Sequence, residues 1–327
     1  MREKPKIAIY WLGACGGCDT SFIDLGEELL ALVGKVDIVL WPVALDFKID
    51  SIKRLGDGEL AVAIISGCVR NCEHRSMAEL LRAKAKLVLA CGACACIGGL
   101  PGLANFRSRD DILNWVYRDA PTVTFPQSAI PQQPVRSGDD EPGIPRFYDR
   151  VYALNQVIEV DYYLPGCPPP LDLLAAGLTA LLEGKPPPRG STLAPHKSLC
   201  DSCPRNESKP ARLEIRSIRA AHEVEVDPAD CFLAHGVLCL GPATRDGCGG
   251  SCLETNSPCR GCFGGPEGVA DPGARFISGL AAMLDMADEQ ELQKLTAAIG
   301  DIAGYSWRFT QAVSILGKRR LPEKGEE

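Results

Sequence analysis

Sixteen cysteines stand in this 327-residue chain, and they form two groups of eight with different spacing. The later eight run Cys200-x2-Cys203, Cys231-x7-Cys239 and Cys248-x3-Cys252-x6-Cys259-x2-Cys262. That stretch has little capacity for an apolar core, so disulfides, zinc or iron–sulfur clusters must account for its thiols. The earlier eight are Cys15, Cys18, Cys68, Cys72, Cys91, Cys94, Cys96 and Cys167, several of them beside glycines. Sets of four thiolates hold either a zinc ion or a [4Fe–4S] cubane, and spacing alone does not separate the two.

Composition weighs against disulfides. A chain of this length forms a sizeable core plus a smaller second unit without such staples. Its opening residues run straight into a strand-like segment, with neither a basic-then-apolar leader nor a twin-arginine signal. No apolar run approaches the roughly eighteen residues of a spanning helix. The chain is therefore expected to be cytoplasmic, where thiols stay reduced and clustered cysteines bind metal. A net charge of −7 argues against a nucleic-acid partner.

The elements that must position the early thiols alternate between strands and helices. Residues 6–12, 36–43, 59–66, 86–90 and 157–163 read as buried strands rich in Val, Ile and Leu. Helices are expected over 19–33, 74–83, 110–117 and 171–182. This order predicts an α/β fold, a flavodoxin-like five-stranded parallel sheet covered on both faces. Such a fold places ligands beyond the carboxyl ends of its strands. Cys15 and Cys18 follow the first strand, Cys94 the fourth and Cys167 the fifth. Four thiolates around one crevice suffice for a [4Fe–4S] cubane. A Cys15/Cys18 redox pair is the rival, and it leaves Cys94 and Cys167 coincidental. No phosphate-binding glycine motif follows the first strand. For the later eight, two structural zinc sites compete with two clusters, and a redox cluster in the first half favours a continued relay.

Longer motifs now carry a resemblance. They are Cys15-x2-Cys18, Gly92-Ala93-Cys94 with Gly98-Gly99, and Pro165-Gly166-Cys167-Pro168-Pro169. Further along stand Gly241-Pro242-Ala243-Thr244-Arg245-Asp246-Gly247-Cys248 and Pro258-Cys259-Arg260-Gly261-Cys262. Over about residues 5–265 the chain resembles the small, electron-transfer subunits of [NiFe] hydrogenases, above all the cytoplasmic methyl-viologen-reducing type associated with heterodisulfide reductase. The resemblance implies three [4Fe–4S] clusters. Cys15, Cys18, Cys94 and Cys167 match the proximal one. Cys248, Cys252, Cys259 and Cys262 match the medial one, and Cys200, Cys203, Cys231 and Cys239 the distal one. In many periplasmic relatives a His replaces Cys200 and a Pro replaces Cys252, the latter leaving three irons. Here an all-thiolate relay is implied.

The same resemblance implies that the nickel–iron centre and the hydrogen chemistry reside on a separate large subunit. Electrons would pass to an iron–sulfur or flavin protein. No catalytic residue is expected on this chain. The rival readings are a cluster-bearing subunit of a complex I-like or nickel-free oxidoreductase and a zinc-stabilised scaffold. Complex I-like chains carry adjacent cysteines after the first strand, whereas Ala14 precedes Cys15 here.

Four thiols remain: Cys68, Cys72, Cys91 and Cys96. They read as small buried hydrophobes, with extra ligation near the proximal set, or exchange of Cys94 for Cys96, as the sharper options. His74, His196, His222 and His235 are assigned no ligand role. Three units are expected: 1–185 with the proximal set, 186–272 with the later eight cysteines, and a helical tail over 273–327. Residues 121–156, rich in proline, are expected to avoid helix and sheet and to run over a partner's surface. In the tail, helices are expected over 274–286 and 289–316, with Phe276, Leu280 and Leu284 on one face.

Overall fold

The computed structural model describes residues 4–124, 130–131, 144–183, 186–285 and 289–317. Its first part runs β1 (Lys6–Trp11), α1 (Gly17–Ile23), α2 (Glu27–Lys35), β2 (Asp37–Leu40), α3 (Ile49–Lys53), β3 (Leu60–Ser66) and β4 (Val69–Asn71). Next come α4 (Cys72–Lys84), β5 (Ala85–Cys91), α5 (Gly92–Ile97), α6 (Arg109–Asn114), β6 (Phe147–Tyr152), β7 (Tyr162–Leu164) and α7 (Leu171–Leu182). Five strands form one parallel sheet in the order β2-β1-β3-β5-β7. The flavodoxin-like arrangement expected from the strand–helix alternation is present.

Alternation within each strand explains the two covered faces. Ile7, Ile9, Val62, Ile64 and Leu89 pack with Phe22 and with Leu174, Leu178 and Leu181 of α7. Ala8, Ala63, Ile65, Val88 and Ala90 face the opposite way, onto Ile52 of α3 and Ala78 and Leu81 of α4. Parallel strands buried on both sides need such continuous apolar runs.

Four expectations need correcting. The single helix over 19–33 is broken at Gly26, whose φ of 57° and ψ of −119° are not helical. The last strand is shorter than 157–163 and displaced along the chain: it runs Tyr162–Leu164, just after Asp161. Its Oδ2 accepts the Val88 N–H at 2.7 Å and meets Arg82 at 2.6 Å. The segment 121–156 does contain a strand: β6 pairs antiparallel with β4. No proline lies between Pro145 and Pro165, and Tyr148, Val151 and Tyr152 are buried, so this piece satisfies strand requirements. Pro126, Pro134 and Pro142 lie outside the described residues.

The fourth correction concerns the chain after Cys262. The later cysteines sit on loops and short 3-10 turns around α8 (Ser251–Glu254), followed by α9 (Pro272–Met283), α10 (Glu289–Ile299) and α11 (Ile302–Ser306). The expected helix over 289–316 stops at Gly300, at φ 70°, and Asp301 caps a new one. The earlier helix, expected to reach Met286, ends at Met283: Leu284 is extended and bridges to Ile215, so it leaves the helix face of Phe276 and Leu280, and Met286 lies outside the described residues. Phe276 and Leu280 are buried beside Leu199, Phe232 and Leu253. The α9 face thus packs on the cysteine-rich part of its own chain. Among the described residues no helix is long and apolar enough to cross a membrane.

Candidate metal centres

Sheet register builds the first site. Trp11 pairs with Ser66, Ser66 with Cys91, and Cys91 with Leu164, so four strands end in one row. The turns leaving that row carry Cys15 and Cys18, Cys68, Cys94, and Cys167. Gly16, at φ 89°, starts α1 and sets Cys18 in its first turn. Gly92, at φ 84°, turns β5 into α5, and a Cβ there would stand 2.3 Å from Cys18 Sγ. Gly99, at φ 59°, leaves the same kind of gap, 2.6 Å from Cys94 Sγ. The Ala93 N–H donates to the Gly166 carbonyl at 2.6 Å and ties the turn bearing Cys94 to the loop bearing Cys167. Two glycines therefore hold space open directly against two of the four thiols.

The four thiols feel one another. Burial pushes Cys94 far above the ordinary thiol range, with Cys68, Cys167, Cys18 and Cys15 adding to the rise. Burial also raises Cys167, helped by Cys18 and Cys15. Cys18 moves the other way, because the Cys91 thiol hydrogen-bonds to it. Crowded thiols resist losing their protons together, and a cationic iron core relieves that repulsion. The donor set fits a thiolate-held cubane.

The set Cys200, Cys203, Cys231 and Cys239 lines one cavity, closed by Leu199, Phe232, Leu233 and Leu253. Cys200 lies in a 3-10 turn capped by Ser198 and Asp201. A Cβ on Gly241 would meet Cys200 Sγ at 3.1 Å and Cys239 Sγ at 3.6 Å. Burial pushes Cys200 and Cys239 up to about 12. Asn206 also lines the cavity, and its Oδ1 is buried without a partner.

The remaining set spans a glycine-rich loop and α8. Gly247, Gly249 and Gly250 all have positive φ, and Gly250 starts the helix that carries Cys252. Cys259 is buried and pushed up to about 12, with Cys239 adding to the rise and the Thr244 hydroxyl opposing it. Cys262 is raised further by burial, then by Cys259, Cys248, Cys167 and Cys252. Two residues past Cys262, a Cβ on Gly264 would meet Ile97 of α5, the helix of Cys94, at 3.3 Å, and the Cys259 N–H donates to Cys239 Sγ of the other set at 3.3 Å. The three sets follow one another in space, with 248–262 between the other two.

Among the described residues no three Cys, His, Asp or Glu side chains close as they would around one ion. A cubane takes one thiolate on each iron corner and needs its ligands spread wider. The extra thiols are engaged as donors or acceptors. Cys96 is buried and donates to the Ala90 and Leu164 carbonyls at 3.3 and 3.4 Å. Cys68 donates to the Gly13 carbonyl at 3.2 Å, and Cys72 Sγ accepts the Arg146 N–H at 3.2 Å. His196 pairs with Glu267 at 3.0 Å and His235 with Asp230 at 2.9 Å.

Sequence reasoning missed several neighbours of the thiols. Asp19 is buried beside Cys18 and accepts from Trp41 Nε1 at 3.1 Å and Ser66 Oγ at 3.3 Å. Tyr305 donates to the Leu238 carbonyl, with the Arg260 and Arg308 guanidiniums 5.6 and 5.9 Å from its ring centre. Arg205 shares the cavity of the Cys200 set. Only the adjacency of Asp19 to Cys18 was a usable signal.

The family model described as the NADH ubiquinone oxidoreductase 20 kDa subunit matches residues 15–181. The iron-sulfur subunit of an F420-non-reducing hydrogenase from Archaeoglobus profundus is 35% identical over 96% of this chain and 98% of its own length. A subunit of the F420-non-reducing hydrogenase from Methanothermobacter marburgensis is 36% identical over 97% of each chain. The delta subunit of the NAD-reducing hydrogenase HoxS from Cupriavidus necator is 32% identical over 56% of this chain and 81% of its own.

Proposed function

This chain belongs to the family of the NADH ubiquinone oxidoreductase 20 kDa subunit and fits its hydrogenase electron-transfer members, and from that premise we propose that it relays electrons through three [4Fe–4S] clusters. It serves a hydrogenase whose hydrogen chemistry lies on a large subunit. Cys15, Cys18, Cys94 and Cys167 hold the cluster nearest that subunit. Cys248, Cys252, Cys259 and Cys262 hold the middle one, and Cys200, Cys203, Cys231 and Cys239 the outlet. When bound, the clusters supply one-electron transfer.

The observation that carries this reading is the succession of the three thiol sets, which meet where Gly264 packs on Ile97 of α5 and where the Cys259 N–H reaches Cys239 Sγ. A structural zinc staple has no need of such succession. The polypeptide's own part is to ligate, to exclude water and to direct N–H groups at sulfur. The burial of Cys239 and Cys259 supplies the second of these and the Cys259 N–H the third. The outlet partner is a further redox protein, an iron–sulfur or flavin subunit. The names of the full-length relatives argue against F420 as the acceptor. Heterodisulfide reductase is a candidate of the right chemistry.

A nickel-free relay of the complex I-like kind is the second reading, favoured by the family match over 15–181. One measurement separates the two: Fe, Ni, Zn and acid-labile sulfide on the anaerobically isolated complex. The expected result is about twelve iron and twelve sulfide per copy of this chain, beyond the partners' own, with one nickel. Clusters without nickel would leave the relay and remove the hydrogenase. Zinc at the later eight cysteines would overturn the relay.

A further inference from the structure

Arg205 is 2% exposed, yet among the described residues no carboxylate lies within 4.0 Å of it. Its Nη1 donates to the Asp227 and Asp230 carbonyls, both at 3.0 Å. Its Nη2 donates to the Leu253 carbonyl at 2.9 Å and to Asn256 Oδ1 at 2.8 Å. All four acceptors are neutral. The guanidinium also lies 4.4 Å from the ring centre of Phe232. A guanidinium keeps its charge in any protein interior, and a buried charge without a counter-charge is strongly disfavoured.

The counter-charge is available inside the same cavity. Arg205 lines it together with Cys200, Cys203, Cys231 and Cys239. A cubane held by four thiolates is net negative and gains one more negative charge on reduction. A fixed, dehydrated cation beside it stabilises the reduced form most and raises the potential. Lys209 is the cation that acts on the Cys200 thiol, but it is exposed, so water and salt screen it.

We propose that Arg205 is the counter-cation of the Cys200, Cys203, Cys231 and Cys239 centre, a positioning residue that raises this centre's midpoint potential above what its ligands alone would set. The proposal rests on reading that quartet as a cluster site. In function it makes the outlet of the relay easier to reduce than its four thiolates alone would.

The test is an EPR-monitored redox titration, with iron counts, on the anaerobically isolated complex in four forms: wild type, Arg205→Gln, Arg205→Lys and Lys209→Gln. Glutamine removes the charge but ends short of the carbonyls that Nη1 and Nη2 reach, whereas lysine keeps the charge and much of that reach. The expected result is full iron in Arg205→Gln, one midpoint moved to lower potential and the others unmoved. Arg205→Lys should stay near wild type, and Lys209→Gln should shift less than Arg205→Gln. Loss of iron in the glutamine form alone would mark the lost donors as the cause and would overturn the proposal. An unmoved midpoint at full iron, equal shifts for Gln and Lys, or iron loss in both would overturn the proposal and leave Arg205 a brace between loops. Zinc, or no third titrating cluster, in the wild type would instead remove the cluster reading beneath it.

Discussion

The Cys259 N–H donates to Cys239 Sγ at 3.3 Å, and the Leu240 N–H donates back to the Cys259 carbonyl at 3.0 Å. Two thiol sets are therefore clasped by one backbone-to-sulfur bond and one backbone–backbone bond. A peptide that directs its N–H at one set's sulfur while carrying the next set's ligand gives a short bonded path between them. It also stabilises negative charge on Cys239.

Thr244 touches the same junction. Its hydroxyl donates to the Leu240 carbonyl at 2.7 Å and its Oγ accepts from the Cys259 thiol at 3.6 Å; once Cys259 is a thiolate, the hydroxyl can turn from the carbonyl and donate to sulfur. Thr244→Val keeps the shape and removes the hydroxyl. The lost stabilisation of sulfur charge is worth about 1 kcal/mol, or roughly 40 mV for one electron, toward lower potential. A titration of the intact complex should show that shift in the Cys248–Cys262 centre alone. An unchanged midpoint would remove Thr244 from the tuning of that centre.

Gly92 tests the first set. Gly92→Ala forces a residue into φ 84° and sets a Cβ 2.3 Å from Cys18 Sγ. Gly190→Ala is the control, with φ 85° and open space within 4 Å. Both variants should lose about 1–2 kcal/mol to the left-handed backbone. Only Gly92→Ala should also lose about four iron per chain, the content of one cubane. Equal iron in the two variants would detach the gap at Gly92 from cluster binding.

Much of this arrangement was legible in the residues. Ile7 and Ile9 alternating with Ala8, and Val62 and Ile64 with Ala63, announce strands buried on both faces. The sheet they imply delivers Cys15, Cys18, Cys94 and Cys167 to one edge. The break at Gly26 was not legible, because glycine is compatible with a helix until a specific φ and ψ exclude it. β6 was hidden by its proline-rich neighbours, although Phe147–Tyr152 itself contains none. Arg205 was missed because arginine ordinarily lies on the surface, and only tertiary contacts reveal one that does not. Cysteine spacing could not show that the set latest in sequence lies between the other two in space, since order along loops does not fix order in three dimensions.

His74 gives the fold a weakness in acid. Burial holds its imidazole below the ordinary value of 6.5, with Glu73 opposing. It sits in the first turn of α4, where Asn71 accepts its N–H at 2.8 Å and its Nδ1 accepts the Arg70 N–H at 3.3 Å. A proton there meets the positive helix end and ends the Arg70 bond. As pH falls through 6.5 the unfolded chain takes the proton first, so stability is lost on the acid side and is complete above 6.5. Thermal midpoints at about pH 7.5 and about pH 5 should therefore fall more in wild type than in His74→Gln. Parallel losses would exclude His74 as the cause.

Asp271 fastens the segment around Ile315. It is 7% exposed, and its Oδ1 accepts the Ala274 N–H at 3.0 Å and Trp307 Nε1 at 2.7 Å. Its Oδ2 accepts the Ile315 N–H at 2.8 Å. The segment held this way packs Ala312 against Gly98 and Gly102, where a Cβ on Gly98 would stand 2.3 Å from Ala312 Cβ. Gln156 Nε2 donates to the Ala312 carbonyl at 3.0 Å from the other side. Gly98 ends α5, the helix of Cys94, so this strap backs the first thiol set. Asp271→Ala removes three acceptor contacts, one of them a helix cap, and should cost about 2–4 kcal/mol by chemical denaturation. Asp271→Asn retains Oδ1 but presents an amide N–H to Ile315, so it should free the strap at a cost of about 1 kcal/mol. In that milder variant hydrogen exchange over residues 98–106 should quicken while the sheet stays protected. Unchanged exchange there would mean that the strap leans on the helix of Cys94 without holding it.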